Sequence, residues 1–233
     1  MQFIIEDKVF ETLPEICFGA VVARGLDNSG SREEIQVLLE EAIKITREKF
    51  KSVKLKEHRD LKPYRDSFIK MGINPNKFPS SVEALTTRIV KGGNLPDINP
   101  AVNLVNALSL KYSLPMGAHD LDAVNSDIEV RFSRNGDLFI PFGQTDPEIP
   151  GDGELIYASG NQVKTRKWIW RQSDRGKVTG NSINVFFPID GFSDFNREKV
   201  IAARSELAAA VGGILNAKTD MLFLDKNNRS ELI

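Results

Sequence analysis

Apolar residues follow two different periods along the chain and divide it into a helical block and a strand block. After an apolar strand, FGAVVARGL, they recur at helical spacing in EEIQVLLEEAIKIT and SSVEALTTRIV. Beyond residue 126 they alternate with polar residues, as in DIEVRFSRNGDLFIPFG, where Asn135-Gly136 predicts a hairpin turn. A long helix, NREKVIAARSELAAAVGGILNA, and a short strand near MLFLD follow. Because helices and antiparallel strands occur in blocks, the predicted fold class is α+β.

Two of the helices carry clear end signals. One is predicted to begin near Ser80 or Ser81 and to end at the glycine pair Gly92-Gly93. The next begins at Asn99-Pro100, because proline suits the first position of a helix, and it ends at about Tyr112 before a Pro/Gly break.

This second helix carries two asparagines three residues apart, Asn103 and Asn106. Asparagine is a poor residue for a helix interior because its amide competes for backbone hydrogen bonds. Two amides on neighbouring faces can bind a ligand, and they can equally well satisfy backbone groups of the adjacent loop. Both interpretations remain open on the sequence alone.

Past the break, His119 lies beside Asp120 and close to Asp122. An imidazole titrates near neutrality and can act as a base or a hydrogen-bond donor, with Asp120 orienting the ring. The alternative is that Asp120 caps the following turn. One histidine without a cysteine pair gives no metal-binding spacing, so no metal is predicted.

A basic segment, KTRKWIWRQ, interleaves cations with aromatic rings and is a candidate RNA-binding surface. Its candidate contacts are Lys164, Arg166, Lys167 and Arg171. Alternation of Trp168 and Trp170 in a strand would instead direct the tryptophans to the core and the cations to water. A second basic run, from Lys44 to Arg65, is either a solvated helix face or a phosphate-contacting surface.

Composition narrows the function classes. A formal net charge of -1 over 233 residues excludes a global basic field, so any RNA contact must use local patches. The single Cys17 fits a reducing compartment, no signal peptide or membrane-spanning stretch is visible, and the predicted location is the cytoplasm. The chain lacks a phosphate-binding loop, a dinucleotide fingerprint and a nucleophile elbow, which disfavours ATP, NAD and serine-hydrolase chemistry; no cofactor is predicted.

The stretch LPDINPAVNLVNALSLKYSLPMGAHDLDAV resembles the tRNA-editing domain of the phenylalanyl-tRNA synthetase β-subunit, its B-three/B-four region. The residues that match the family pattern are Ile98, Asn99, Pro100, Val102, Asn106, Pro115, Met116, Ala118, Asp120 and Asp122. The resemblance implies a three-layer β/β/α domain that hydrolyses the ester joining a wrong amino acid to tRNA. It further implies a freestanding relative of that module, with residues 1–233 as a single domain and 1–75 as an integral extension.

The resemblance also assigns candidate substrate contacts. Asn106 falls on the family's asparagine in the helix of the pocket, and Gly117 replaces the family's site histidine. His119 stands where the family has phenylalanine, and Gln172 replaces the glutamate that reads the tyrosine hydroxyl. Because residues two apart in an extended strand share a face, Gly117 is predicted to leave room for the His119 ring.

Three functions follow as hypotheses. The leading one is hydrolysis of a misacylated tRNA in trans, with His119 and Asp120 as catalytic residues, and with Asn103, Asn106, Gly117 and Gln172 as substrate contacts. The second is a tRNA- or RNA-binding module without catalysis. The third is a protein that binds a free small metabolite.

Overall fold

The computed structural model describes all 233 residues, which form six α-helices and ten β-strands. The helices are α1 (Asp7–Thr12), α2 (Glu33–Lys49), α3 (Lys62–Lys70), α4 (Ser81–Val90), α5 (Pro100–Tyr112) and α6 (Arg197–Ile214). The strands are β1 (Gln2–Ile5), β2 (Ile16–Arg24), β3 (His119–Asp120), β4 (Ile128–Phe132), β5 (Leu155–Ser159), β6 (Gln162–Arg166), β7 (Arg171–Gln172), β8 (Asn184–Phe192), β9 (Lys218–Leu224) and β10 (Ser230–Leu232).

The strands form two sheets. The larger has six strands in the order β10-β1-β4-β5-β6-β7, and the smaller has four in the order β3-β8-β2-β9. β2 pairs with β8 along its whole length, from Ile16 opposite Phe192 to Arg24 opposite Asn184. Both N-terminal strands therefore lie inside the sheets, since β1 sits between β10 and β4. On this basis we propose that residues 1–233 are a single domain.

The four-stranded sheet is the middle layer of three. Along β2, Phe18, Ala20 and Val22 point into a core of 23 buried residues shared with the six-stranded sheet. Cys17 and Val21 point the other way, into a core of 22 residues shared with α5 and α6. A strand buried on both faces reads as a continuous apolar run, which explains the composition of β2 and β8. The three-layer β/β/α fold expected from the resemblance is confirmed.

The two helices with clear end signals form where the sequence predicts them. At α4 the hydroxyl of Ser80 accepts a 3.4 Å hydrogen bond from the backbone of Glu83. At α5 the Asn99 side chain accepts a 3.1 Å hydrogen bond from the backbone of Val102. Each bond satisfies one of the backbone groups that a helix leaves free in its first turn.

The hairpin predicted at Asn135-Gly136 is wrong. β4 pairs with β5, and the segment after the turn lies along β6, where Leu138 accepts a backbone bond from Val163. The reason is a buried ion pair that the pattern of apolar residues does not reveal. Arg131 is 2% exposed and makes two hydrogen bonds, of 2.7 and 2.8 Å, to Asp137. This pair holds the loop back against the end of β4.

The continuous strand predicted through Trp168 and Trp170 is also wrong. The chain turns between β6 and β7, where Lys167 and Trp168 have left-handed backbone angles, with φ of 47° and 62°. Such angles cost free energy for residues other than glycine and persist only where neighbouring contacts enforce them. Here the Lys167 backbone donates a 3.0 Å hydrogen bond to Glu154, and Trp168 is fully buried.

Candidate active site

A cavity of about 80 Å³ lies where three parts of the chain meet. These are the segment from Pro115 to His119, the end of β8, and the turn from Trp168 to Gln172. Tyr157 of β5 also contributes to the wall. The cavity therefore lies at the junction of the two sheets.

The end of α5 directs the chain to this cavity. Ser113 takes a left-handed conformation that stops the helix, and Pro115 prevents it from resuming. The chain then runs antiparallel to β8. Gly117 donates a 3.0 Å backbone hydrogen bond to Pro188, and Asp190 donates one of 3.0 Å to Pro115. This pairing places Gly117 and His119 against the side of β8 that faces the cavity.

His119 lines the cavity as an uncharged imidazole. The residue is 2% exposed, and burial together with the positive charge of Lys164 lowers the pKa of His119 to about 3. Gln172 lies beside the ring. Its amide nitrogen donates a 2.6 Å hydrogen bond to the Ala118 carbonyl and lies 3.4 Å from Nδ1 of His119. Because an amide nitrogen only donates, this contact favours the tautomer with Nδ1 as the acceptor and the proton on Nε2.

Gly117 faces the same cavity. A methyl group added at this position would lie 3.8 Å from Nε2 of His119 and 3.4 Å from a ring carbon of Pro188. The glycine therefore leaves open the space in front of the histidine nitrogen. This geometry agrees with the prediction that Gly117 and His119 share one face.

Asp190 is a site residue that the sequence reasoning missed. It is 3% exposed and lines the cavity, where Oδ1 accepts 2.7 Å hydrogen bonds from the Tyr157 hydroxyl and the Trp168 indole nitrogen. Burial raises the pKa of Asp190 to about 7, although both hydrogen bonds oppose the shift. Oδ2 makes no hydrogen bond to the protein, so it is the free acceptor of the site. One signal was available: Asp190 is the only charged residue in the nine-residue strand β8.

Asp120 does not orient the His119 ring. One of its carboxylate oxygens accepts a 2.9 Å hydrogen bond from the backbone of Asp122, and the other accepts the Ser182 hydroxyl. The first of these bonds caps a short 3-10 helix, Leu121–Ala123. Asp120 therefore caps the turn that follows it, which is the alternative to orienting the ring.

The two asparagines of α5 lie outside the cavity. Asn103 is buried and accepts a 3.1 Å hydrogen bond from the backbone of Ile98, while its amide nitrogen donates to Asp97. It thus satisfies groups of the preceding loop, which was the second of its two interpretations. Asn106 is half-buried on α5. Neither asparagine lines this cavity, and their role as substrate contacts stays a prediction.

The predicted RNA-binding cations divide into two groups. Lys164 is 1% exposed and donates a 3.1 Å hydrogen bond to the Ala123 carbonyl, so it cannot contact RNA in this conformation. Arg166 and Lys167 both bond the buried carboxylate of Glu154, at 2.9 and 2.7 Å. Burial raises the pKa of Glu154, but these hydrogen bonds outweigh it and lower the pKa below its usual range.

Arg171 belongs to the second group, because it lines the cavity and forms no ion pair. It lies beside Trp170, with its guanidinium carbon 6.0 Å from the ring centroid. Trp170 is half-buried, and the edge of Phe78 packs against it at a centroid distance of 4.7 Å. The rim of the cavity therefore combines partly exposed aromatic rings with a cation that no carboxylate neutralises.

The structure also bears on metal binding and on membrane spans. No three histidine, cysteine, aspartate or glutamate side chains converge as metal ligands would. None of the six helices combines the length and the apolar character that crossing a membrane requires.

Comparison with known proteins assigns this chain to a family. A structural match is an N-terminal fragment of the phenylalanyl-tRNA synthetase beta-subunit from Pyrococcus horikoshii, with a TM-score of 0.51 and 11% sequence identity. The match covers 93% of this chain and 49% of the fragment, so the chain spans about half the length of that structure. No curated protein matches the sequence. The model of the B3/4 domain matches residues 63–211, which include every residue of the cavity wall named above. This chain belongs to the B3/4 domain family.

Proposed function

We propose that the protein hydrolyses the ester of a misacylated tRNA, acting in trans on aminoacyl-tRNA in the cytoplasm. The observation that carries the proposal is the polar content of the cavity. A neutral imidazole donor on His119 and the carboxyl group of Asp190, whose Oδ2 has no protein partner, line one small space at the junction of the sheets. The match to a fragment of a tRNA synthetase subunit supports tRNA as the carrier of the ester.

Hydrolysis of this ester does not require a side-chain nucleophile. Water adds to the ester carbonyl carbon, the bond to the ribose oxygen breaks, and that oxygen takes up a proton. The products are a free amino acid and an uncharged tRNA. The ester of an amino acid next to a free ribose hydroxyl is already activated, so positioning of water and stabilisation of the developing negative charge can supply the acceleration.

His119 is suited to stabilising the negative charge that develops on the carbonyl oxygen. With a pKa of about 3 it is uncharged at neutral pH, so it is a poor base, and its Nε2 proton is available as a donor. A neutral donor held in a dry site stabilises a carbonyl oxygen as negative charge develops on it. Gln172 fixes the ring by bonding both Ala118 and Nδ1. The proposed role of Gln172 is therefore to position the His119 ring.

The rim offers contacts for the end of the tRNA. A nucleobase stacks on aromatic side chains without regard to its identity, and a guanidinium pairs with phosphate. Trp170 and Arg171 stand next to each other at the cavity and provide both chemistries. We propose that they receive the terminal nucleotide, in place of the four-cation surface expected from the sequence.

A panel of aminoacyl-tRNAs tests the proposal. Each member is incubated with the protein, and release of the amino acid is compared with the spontaneous rate in buffer. We expect acceleration for at least one member. If no member is released faster than in buffer while uncharged tRNA binds in a salt-dependent manner, the protein is a binding module and the catalytic proposal is wrong.

A further inference from the structure

The inner wall of the cavity is built from side chains that cannot easily move. Trp168 is fully buried and Tyr157 is 2% exposed, and both are tied to Asp190 by hydrogen bonds. The Trp168 ring also packs against Phe68 and Phe192, with centroid distances of 6.2 and 6.1 Å. Cores of this kind are close-packed, so an enlarged cavity would require several of these rings to shift together.

The space within the partly open cavity is smaller than an aromatic side chain. Its volume is about 80 Å³, whereas a protein cavity that holds a benzene ring measures about 150 Å³. A phenylalanine or tyrosine side chain would therefore displace the wall or stay outside. A side chain with two or three heavy atoms fits.

The wall is also chemically selective. Oδ2 of Asp190 has no protein donor, although the residue is 3% exposed. Oδ2 opens onto the cavity, so a ligand that fills the cavity and excludes water either brings an O–H or N–H group to Oδ2 or leaves it without a partner, at a cost in free energy. Thr165 and Ser81 also line the cavity. An aliphatic side chain of similar size would fill the volume and leave Oδ2 without a donor.

From these two features we infer that the cavity selects a small hydroxylated amino acid, serine or threonine, whose hydroxyl donates to Oδ2 of Asp190. The inference rests on the proposed function and names its substrate class. A site built to hydrogen-bond a hydroxyl discriminates strongly against the analogue that lacks it, more strongly than size alone can. We therefore expect at least about tenfold faster release of serine than of alanine.

The test uses one tRNA charged in turn with serine, threonine, alanine and tyrosine. We expect serine and threonine to be released well above alanine, and tyrosine at the spontaneous rate. Asp190→Asn keeps Oδ1 as the acceptor for Tyr157 and Trp168 but places an amide donor where Oδ2 was. In this variant the serine hydroxyl can only accept from the amide, so we expect the preference for serine over alanine to fall. Tyrosine released as fast as serine, or equal rates for serine and alanine in the wild type, would overturn the inference while the hydrolytic function stands. Equal rates would mean that Oδ2 binds the α-ammonium group common to every substrate.

A binding measurement separates this inference from the catalytic proposal. Stable amides of 3′-amino-3′-deoxyadenosine with serine, alanine and tyrosine mimic the end of a charged tRNA and cannot be hydrolysed as esters. We expect the seryl amide to raise the melting temperature of the wild-type protein most. If no ester is hydrolysed but the seryl amide still binds best, hydrolysis is wrong and the specificity of the cavity stands. If the tyrosyl or alanyl amide binds as well as the seryl amide, the inference fails whatever the outcome of the hydrolysis assay.

Discussion

The indole nitrogen of Trp168 donates a 2.7 Å hydrogen bond to Oδ1 of Asp190. The bond joins the turn after β6 in one sheet to β8 in the other. It helps to hold the left-handed backbone at Trp168, whose φ is 62°. Together with the bond from Tyr157, it leaves Oδ2 as the one free oxygen of a buried carboxyl group.

Asp190 makes stability depend on pH in a direction opposite to that of most carboxylates. Its pKa is about 7 in the folded protein and 3.8 as the ordinary value, so between these values the folded state keeps a proton that the unfolded state has released. The free energy of unfolding therefore falls as pH rises through this window, by up to about 1.4 kcal/mol per pH unit. Well below pH 3.8 and well above pH 7 the effect of Asp190 is constant.

Asp190→Asn removes this dependence, and urea unfolding of both proteins between pH 4.5 and 7.5 measures it. His119 titrates in both proteins and therefore cancels in their difference. We expect the stability of the wild type relative to the variant to decrease steadily from acid to neutral pH. A difference that is constant over the whole range would show that Asp190 titrates normally.

Two substitutions separate the packing role of His119 from its chemistry. His119→Ala removes a buried ring and should lower the free energy of unfolding by about 1–3 kcal/mol. His119→Phe restores a ring beside Tyr157 but has no Nε2 proton, so we expect a smaller loss of stability. Both variants should lose hydrolytic activity by at least about tenfold per folded molecule. Full activity in His119→Phe would remove the imidazole from the site.

Gly117→Ala tests whether the space in front of His119 is used. The new methyl group would meet Pro188 at 3.4 Å and Nε2 of His119 at 3.8 Å, which are ordinary contact distances. We expect the melting temperature to change by only a few degrees, because the fold accepts the methyl group. Hydrolysis should fall, because the methyl group occupies part of a cavity of about 80 Å³. Unchanged kinetics in a stably folded variant would place the substrate elsewhere.

Arg171 and Arg166 form a matched pair for the contribution of RNA binding. Arg171→Ala removes a cation without an ion-pair partner, so we expect normal stability, weaker binding of uncharged tRNA and a salt slope reduced by about one. Arg166→Ala leaves the buried Glu154 without two hydrogen bonds, of 2.9 and 3.0 Å, and should cost about 1–3 kcal/mol of stability. Filter binding and thermal unfolding of both variants measure the contrast. Equal effects on tRNA binding would contradict the assignment of Arg171 to the rim.

The sequence predicted the helices whose ends are fixed by capping residues close in the chain. Ser80 and Asn99 cap α4 and α5 through bonds three residues away, so the sequence around each contains the information. The resemblance in the segment after α5 likewise led to the three-layer fold and to Gly117 and His119 in the cavity. Contacts that depend on the folded structure were not accessible in this way, even where the partners are only six residues apart. The Arg131–Asp137 pair converts an apparent hairpin into a loop.

In the site, too, the sequence does not reveal contacts that form only in the folded protein. Asp190 meets Tyr157 and Trp168 only because two sheets face each other, and no spacing along the sequence encodes that meeting. Asn103 is a candidate ligand on the sequence alone, because asparagine is unusual in a helix interior. Its partner is the loop residue Asp97, six positions earlier in the chain. The sequence predicts Lys164 as a surface cation, but its side chain points inward from β6 and donates a hydrogen bond to the Ala123 carbonyl.

Single-turnover hydrolysis tests the central claim most directly. With the protein in excess over seryl-tRNA at neutral pH, the account predicts release of serine at least about a hundredfold faster than in buffer, and a return towards the buffer rate in His119→Phe. Release of serine at the buffer rate by the folded wild-type protein would contradict the assignment of this cavity as a site that hydrolyses the serine ester of tRNA.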